Sequence, residues 1–198
     1  MFLRTESLSE FLRKYPIVSA IVAIHLAVYL VTSLLPGTGD ELRGYLIGVN
    51  YLISEGEWWR LFTPIIVHAG LTHLLFNSFS LVIFAPFLEK LLGKLWFILV
   101  YVGAGLAGNV ATFLLEGPAY VHVGSSGAIY GLFGFYIALV LLHRDKLGRQ
   151  NRNMIITIVS IGLVFTFLQS NINIAAHIFG LLFGLIIGWM LLQTKKFA

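Results

Sequence analysis

Three stretches of the chain carry side chains that could do chemistry, and each lies at the start of an apolar run. The first holds His73 and Asn77, the second Ser126, and the third His177. A serine hydroxyl is a weak nucleophile until a base removes its proton, and a neutral histidine is the usual base. N–H groups at a helix N-terminus, with the side chains of His73 and Asn77, could hold an oxyanion. These residue types predict acyl transfer.

Two glycine stripes indicate how Ser126 and His177 could meet. Small residues three or four apart let two membrane helices approach closely. Such residues follow both Ser126 and His177, as Gly127, Gly131 and Gly134 and as Gly180, Gly184 and Gly188. If the two helices pack through these stripes, the serine and the histidine lie together at the top of the contact.

The composition indicates a membrane protein. Of the 198 residues, 58% are hydrophobic and only 11% are charged, which is too little charge for a soluble domain of this size. There is no linker-like segment, so we expect one domain over residues 1–198, with short tails and no cleavable signal peptide. The chain has no cysteine, which excludes disulfides and thiolate metal sites. The net charge of +4 does not by itself indicate a nucleic-acid partner, and none is expected.

The elements that must position these residues are predicted to be membrane-spanning helices. A span needs about 20 mostly apolar residues. Six such runs are found, at residues 15–35, 71–88, 95–115, 125–142, 154–169 and 174–193. The runs are continuous rather than alternating, which argues against a β-barrel. The prediction is an all-α bundle of six spans, with the polar residues of spans two, four and six in one layer near one face.

The basic residues predict the orientation, because Lys and Arg concentrate on the cytoplasmic side. With the N-terminus inside, eleven of the thirteen fall in cytoplasmic segments: Arg4, Arg13, Lys14, Lys90, Lys94, Arg144, Lys146, Arg149, Arg152, Lys195 and Lys196. Only Arg43 and Arg60 fall outside. We therefore expect both termini to be cytoplasmic, the polar layer to lie near the outer face of the plasma membrane, and residues 36–70 to form an outer loop in the interface.

Together these motifs resemble the rhomboid intramembrane serine proteases in their minimal bacterial six-span form. The matching segments are Gly124–Gly127 (G-S-S-G), His68-x4-His73-x3-Asn77, Trp59-Arg60, Ser126-x3-Tyr130 and Ala176-His177-x2-Gly180-x3-Gly184. They are spread over most of the chain and occur on the predicted spans in the right order. The G-x-S-G motif alone would be weak evidence, but the set together is specific.

The resemblance implies an activity and roles for these residues. Ser126 would be the nucleophile and His177 the general base of a Ser–His dyad without an Asp. His73, Asn77 and backbone N–H groups would form an oxyanion hole, and the ring of Tyr130 would pack on His177. The expected reaction is hydrolysis of peptide bonds in transmembrane protein substrates within the lipid bilayer, with no cofactor and no metal. Trp59 could be a plain interfacial anchor, and Arg60 would fix the outer loop through hydrogen bonds.

Several polar residues have a simpler interpretation. Ser125 lies one residue off the motif and is expected to cap or pack. His25 is expected to pack, His122 to lie in an outer loop and His143 at the interface, whereas His68 could be solvated and its role stays open. The segment 103–108, GAGLAG, fits a dinucleotide motif but lies within a span, so it predicts close helix packing instead. There is no H-E-x-x-H zinc motif.

Two other classes of protein remain as alternatives. A non-proteolytic relative would bind and guide membrane helices, but it would be expected to lack the serine or the histidine. A small-solute transporter would show an inverted repeat with helices broken at mid-membrane, and no such repeat is found. For a protease, we expect the substrate to enter sideways past span five, which has no strong glycine stripe. The sequence does not predict the physiological substrate or the oligomeric state.

Overall fold

The computed structural model describes residues 2, 4–144, 147–168 and 172–194, and this part of the chain is mostly helical. The α-helices are α1 (Leu8–Lys14), α2 (Pro16–Leu34), α3 (Thr38–Leu46), α4 (Asn50–Ser54), α5 (Leu71–Leu92), α6 (Lys94–Leu115), α7 (Ser126–Leu142), α8 (Arg149–Leu168) and α9 (Ile174–Leu192). Two short strands, β1 (Gly48–Val49) and β2 (Val121–His122), form one ribbon. The all-α class predicted from the sequence is confirmed.

The predicted spans correspond to six of these helices. Five of them, α2, α5, α6, α8 and α9, are long and apolar enough to cross a membrane. The remaining predicted span, α7, is also apolar but has only 17 residues. At 1.5 Å per residue it is about 25 Å long, whereas the hydrocarbon core is about 30 Å thick. One end of α7 can therefore lie within the membrane thickness.

Two predicted boundaries are wrong by about one helical turn. Helix α5 continues to Leu92, where Gly93 with a φ of 74° ends it, rather than to residue 88. Helix α8 begins at Arg149 rather than at residue 154, because a polar first turn precedes its apolar part. Hydropathy detects the apolar part of a helix and misses such polar extensions. The predicted end of this span, residue 169, lies outside the described residues.

Helices α7 and α9 cross through the two glycine stripes, as predicted. A Cβ atom on Gly180 would lie 2.1 Å from the carbonyl oxygen of Gly127, and one on Gly184 would lie 1.8 Å from that of Gly131. From the other side, a Cβ on Gly134 would lie 2.0 Å from the carbonyl oxygen of Leu181. These separations are far below any real contact, so the backbones touch only because the side chains are absent.

Helix α6 packs on the same pair of helices through small residues. A Cβ on Gly108 would lie 2.6 Å from the carbonyl oxygen of Ala176 in α9, and a Cβ on Gly131 would lie 2.1 Å from the Cβ of Ala104. The glycine-rich segment 103–108 is thus an interface between helices, as predicted, and α7 is enclosed by its neighbours. Most of the side chains of α7 are buried.

The α2–α5 segment, which joins those two helices and was predicted to be an outer loop, is more ordered than expected from the sequence. It contains α3, β1, α4 and two 3-10 turns, Trp58–Leu61 and Thr63–Ile66. Arg60 is buried within it and donates from Nη1 to the carbonyl oxygens of Gly44 and Ile47, both at 2.7 Å, while its Nε contacts Glu57 at 2.5 Å. These bonds hold the segment in one conformation.

The β ribbon joins the α2–α5 segment to the loop that precedes α7. Gly48 of β1 lies opposite His122 of β2 in an antiparallel pair. A Cβ on Gly48 would lie 2.4 Å from the His122 ring, so only glycine leaves room for that ring. His122 is buried, and burial lowers the pKa of its imidazole to about 4. His122 lies outside the predicted spans, as expected, and its ring is buried rather than solvated.

Helix α8 has much less of its surface buried than α7. Its buried side chains are Ile155, Val159 and Thr166, and several large apolar residues of its other faces are exposed: Ile156, Ile161, Val164, Phe165, Phe167 and Leu168. In a membrane these exposed side chains would contact lipid. Helix α8 is therefore held to the bundle along one narrow face.

Candidate active site

The structure brings Ser126 and His177 into hydrogen-bond contact. Ser126 is the first residue of α7, and His177 lies in the first turn of α9. The Nε2 atom of His177 is 2.8 Å from the Oγ atom of Ser126. The α9 terminus is fixed by Asn173, whose side chain accepts the Ala176 N–H at 2.9 Å. A hydroxyl and an imidazole at this distance can exchange a proton.

The aromatic ring of Tyr130 supports the imidazole from one face. Tyr130 lies four residues after Ser126, and its side chain therefore projects from the same side of α7. Its ring stacks on His177 with centroids 4.0 Å apart and planes inclined by 14°. The stack restricts rotation of the imidazole about its own axis, so that Nε2 stays directed at Ser126.

Thr166 is a site residue that the sequence analysis missed. Its Oγ1 atom lies 2.9 Å from Nδ1 of His177 and 2.7 Å from the hydroxyl oxygen of Tyr130. The Tyr130 hydroxyl also donates to the carbonyl oxygen of Gly162, one turn earlier in α8. The only local signal is the pair Gly162 and Thr166, four residues apart in a helix whose other residues give no reason to expect a site.

His73 lies against the glycine that opens the G-S-S-G segment. Gly124 has a φ of 119°, a conformation that favours glycine, and a Cβ there would lie 2.7 Å from Nε2 of His73. The Nδ1 atom of His73 accepts the Ala69 N–H at 3.4 Å. In the neutral ring the proton is then on Nε2, which points toward the segment that leads into Ser126.

Asn77 is buried one turn below His73 on the same face of α5. Its Nδ2 atom donates to the carbonyl oxygen of His73 at 2.9 Å. An amide nitrogen carries two hydrogens, and this bond uses one of them. The structure shows no direct hydrogen bond between Asn77 and either Ser126 or His177 within the described residues.

The N-terminus of α7 adds backbone donors beside Ser126. The first N–H groups of a helix have no partner within it, and they lie at the positive end of the helix dipole. Ser125 occupies the N-cap position but its side chain makes no capping bond, and it is fully buried. Ser125 is thus a packing residue at a cap position, in line with the simpler interpretation of it.

His68 is buried, so the expectation that it could be solvated is wrong. Its ring lies 4.8 Å from that of His25 in α2 and 5.2 Å from that of His73, measured between centroids. Burial, with these two rings nearby, lowers the pKa of His68 to about 3. The contact was hidden in the sequence because His25 and His68 are more than 40 residues apart. The described residues contain no group of three or more His, Cys, Asp or Glu side chains placed to hold a metal ion.

Trp59 and Arg60 lie in the α2–α5 segment, and neither contacts Ser126 or His177 through the hydrogen bonds found in the described residues. The indole Nε1 of Trp59 donates to the carbonyl oxygen of Tyr45 at 3.2 Å, and the two rings stack with centroids 5.0 Å apart. The segment they brace is the one that the β ribbon joins to the loop before Ser126. Both side chains hydrogen-bond to backbone carbonyl groups of their own segment, so their contacts stabilise its conformation.

The helical fold and the contact between Ser126 and His177 are those expected of one class of protein, the polytopic intramembrane protease. The model of the rhomboid domain family matches residues 55–194, and the chain belongs to the rhomboid family. It is 46% identical over 196 residues to the rhomboid-family protein YdcA of Bacillus subtilis (strain 168), covering 99% of this chain and 98% of YdcA.

Two further relatives differ in how much of their length is matched. Rhomboid protease GluP of Bacillus subtilis is 41% identical over 135 residues, covering 68% of this chain and 26% of GluP. Rhomboid protease GlpG of Haemophilus influenzae is 27% identical over 183 residues, covering 89% of this chain and 91% of GlpG. The family match over residues 55–194 includes the helices that carry Ser126 and His177, and it agrees with the resemblance found in the sequence.

Proposed function

We propose that the chain hydrolyses peptide bonds of membrane-spanning protein substrates, with Ser126 as nucleophile and His177 as general base. The observation that supports this most directly is the 2.8 Å contact between Ser126 Oγ and His177 Nε2. The family match and the relatives named rhomboid proteases support a proteolytic role for this pair of side chains.

The geometry supports the following sequence of steps. Nε2 of His177 takes the Ser126 proton while Oγ attacks the substrate carbonyl carbon, and a tetrahedral oxyanion forms. The protonated imidazole then gives its proton to the departing amine, leaving an acyl group on Ser126. A water molecule, deprotonated by the same Nε2, then attacks the acyl carbon. The bond from that carbon to Ser126 Oγ breaks, the imidazolium returns its proton to Oγ, and the carboxylate product is released.

The oxyanion would be held by donors from two helices. The N–H groups at the start of α7 lie beside Ser126, and Nε2–H of His73 faces the preceding segment. The second amide hydrogen of Asn77 adds a side-chain donor from α5. Donors that are already fixed in place stabilise the charge that develops in the transition state without reorganising.

The site is proposed to lie near the outer face of the plasma membrane, with both chain termini cytoplasmic. The distribution of basic residues supports this orientation, although Lys146, Lys195 and Lys196 lie outside the described residues. Ser126 begins a helix too short for the full hydrocarbon core, which suits a cavity sunk below one surface. Because α8 is held along one narrow face, we propose that substrates enter beside it.

Incubation of the purified protein in detergent with model single-span substrates, beside Ser126→Ala, tests the activity. Cleavage by the wild type and none by the variant is expected, and equal cleavage by both would exclude Ser126 as the nucleophile. For the orientation, the cysteine-free chain accepts single reporters at exposed positions, Glu55→Cys and Gln150→Cys. A membrane-impermeant maleimide should label only the first in intact cells, and labelling of only the second would reverse the proposed topology.

A further inference from the structure

The imidazole of His177 is held at three positions by residues of two helices. Ser126 contacts Nε2 at 2.8 Å, Tyr130 stacks on the ring face, and Thr166 contacts Nδ1 at 2.9 Å. Thr166 comes from α8, and its side chain is fully buried. The dyad chemistry uses only Nε2, so the partner of Nδ1 determines which nitrogen carries the proton of the neutral ring.

The surrounding hydrogen bonds indicate the direction of the contact at Nδ1. Tyr130 donates its one proton to the carbonyl oxygen of Gly162 at 2.5 Å. Thr166 can then donate its own proton to the Tyr130 oxygen at 2.7 Å or to the same Gly162 carbonyl at 3.0 Å. With its proton used in this way, Thr166 Oγ1 is left as an acceptor, and Nδ1–H of His177 is the donor that faces it.

We propose that Thr166 is a positioning residue that accepts the Nδ1–H of His177 and so fixes the tautomer in which Nε2 is free to take the Ser126 proton. The proposal rests on the proposed function of the dyad. Thr166 occupies the place that a carboxylate takes in a Ser-His-Asp triad, where the wrong tautomer costs much of the rate.

A neutral acceptor suits this location. A carboxylate next to the imidazole would have to be desolvated among apolar helices, at a cost that its attraction to the protonated ring need not offset. A hydroxyl avoids that cost, although it stabilises the protonated ring less. The bond should still be stronger in the transition state than in the ground state, because it then involves a charged donor.

The same bond makes the orientation of the base depend on α8. Gly162 and Thr166 lie one turn apart and face α7 and α9 through Tyr130 and His177. Because α8 buries few other side chains, this polar contact is a large part of what fixes its outer half. Displacement of α8 would thus remove the hydrogen-bond acceptor of Nδ1, and neither tautomer of the neutral His177 ring would then be favoured by Thr166.

The test compares Thr166→Val, which removes the hydroxyl at similar volume, with Thr166→Ser, which keeps it. Thr157→Val serves as the control, because Thr157 is an exposed threonine on the same helix. We expect Thr166→Val to lower kcat by about 10–100-fold, as for loss of one hydrogen bond to a charged group, with KM unchanged. Thr166→Ser should recover most of kcat, and Thr157→Val should leave it as in the wild type.

A spectroscopic measurement separates positioning from a merely structural role. In detergent-solubilised protein with 15N-labelled histidine, the His177 signals can be identified by their loss in His177→Ala. We expect wild type and Thr166→Ser to show the Nδ1–H tautomer, and Thr166→Val to show a mixture. The inference is overturned if Thr166→Val keeps the wild-type kcat, or if its tautomer is unchanged. Cleavage by Ser126→Ala would instead overturn the proposed function, so the two failures can be told apart.

Discussion

Gly184 and Gly131 touch backbone to backbone where α9 crosses α7. The Cβ of any other residue at position 184 would lie 1.8 Å from the Gly131 carbonyl oxygen. The contact lies two turns below His177, and the equivalent contact between Gly180 and Gly127 lies one turn below it. The distance between Ser126 and His177 is therefore set by the absence of side chains in the glycine stripes beneath them.

We accordingly expect Gly180→Val and Gly184→Val to inactivate the protein without altering a catalytic group. A branched side chain would push the helices apart, and about 1 Å of misplacement can cost roughly 100-fold in rate. Gly162→Val should be milder, because a Cβ there meets side-chain atoms and no backbone: the Tyr130 hydroxyl at 3.1 Å, and ring atoms of Tyr130 and Phe133 at 3.6 and 3.8 Å. Gly148→Val is the control, since nothing lies within 4 Å of its Cβ position. Cleavage rates and thermal midpoints of the four variants are compared, and full activity of folded Gly184→Val would contradict the account.

Removal of either dyad member should abolish cleavage. We expect Ser126→Ala and His177→Ala each to be inactive with nearly unchanged thermal midpoints, and the double variant to be no worse than either single variant, because the two groups act as a unit. A serine-directed fluorophosphonate should modify Ser126, as located by peptide mass spectrometry. Modification of Ser125 instead, or retained activity in Ser126→Ala with loss in Ser125→Ala, would show that the assignment is off by one residue.

Asn77→Ala should slow the reaction less than the dyad substitutions do. Loss of one oxyanion donor typically lowers the rate by about 10²–10³-fold, and His73 and the backbone donors would remain. KM should barely change, because the donor acts on charge that develops only in the transition state. Steady-state kinetics on a model substrate make the distinction. A raised KM with unchanged kcat would identify Asn77 as a substrate-binding residue.

Two buried histidines outside the membrane-spanning helices, His68 and His122, should make stability depend on pH. The pKa of His122 is about 4 in the folded protein, below the ordinary value of 6.5, so the unfolded chain binds more protons between these values. The stability that His122 contributes is present above pH 6.5 and is lost as the pH falls toward 4. His68, with a pKa of about 3, acts in the same direction.

We therefore expect the thermal midpoint of the wild type to fall between pH 7 and pH 5. The variant His122→Phe, which keeps a ring beside Gly48 but cannot be protonated, should lose less over the same range. Its slope should not vanish, because His68 still titrates. Scanning fluorimetry at a series of pH values measures both, and identical slopes for the two proteins would rule out a contribution from His122.

The spans and the Ser126–His177 contact could be anticipated because their signals are local or periodic. Apolar runs, glycines at helical spacing and polar residues at the tops of three runs are all visible in a single sequence. Thr166 could not be found in this way, since a threonine that bonds the carbonyl four residues earlier is ordinary in a membrane helix. Its partner His177 lies across a helix interface that the pattern of α8 does not indicate.

The sequence also did not predict the β ribbon, because its strands are too short, or the burial of His68, because its partner is far away in the chain. The β ribbon has two residues on each side, which is too short for an alternating pattern to be recognised. The burial of His68 depends on α2, because His25 supplies the ring against it. Contacts between residues far apart in the chain leave no trace in composition or periodicity, and they decide which histidines are solvated.

The enclosure of α7 by its neighbours has a consequence for how this protein can vary. A helix with lipid on one side tolerates almost any apolar residue there, so its tolerance to substitution should rise and fall with the helical period. Helix α8 has one narrow buried face, so its tolerance to substitution should show this helical periodicity in a saturation mutagenesis experiment. Helix α7 should show hardly any such periodicity, because a larger side chain at most of its positions would clash with a neighbouring part of the protein. Its sequence should therefore drift least of the six helices, including at positions far from Ser126.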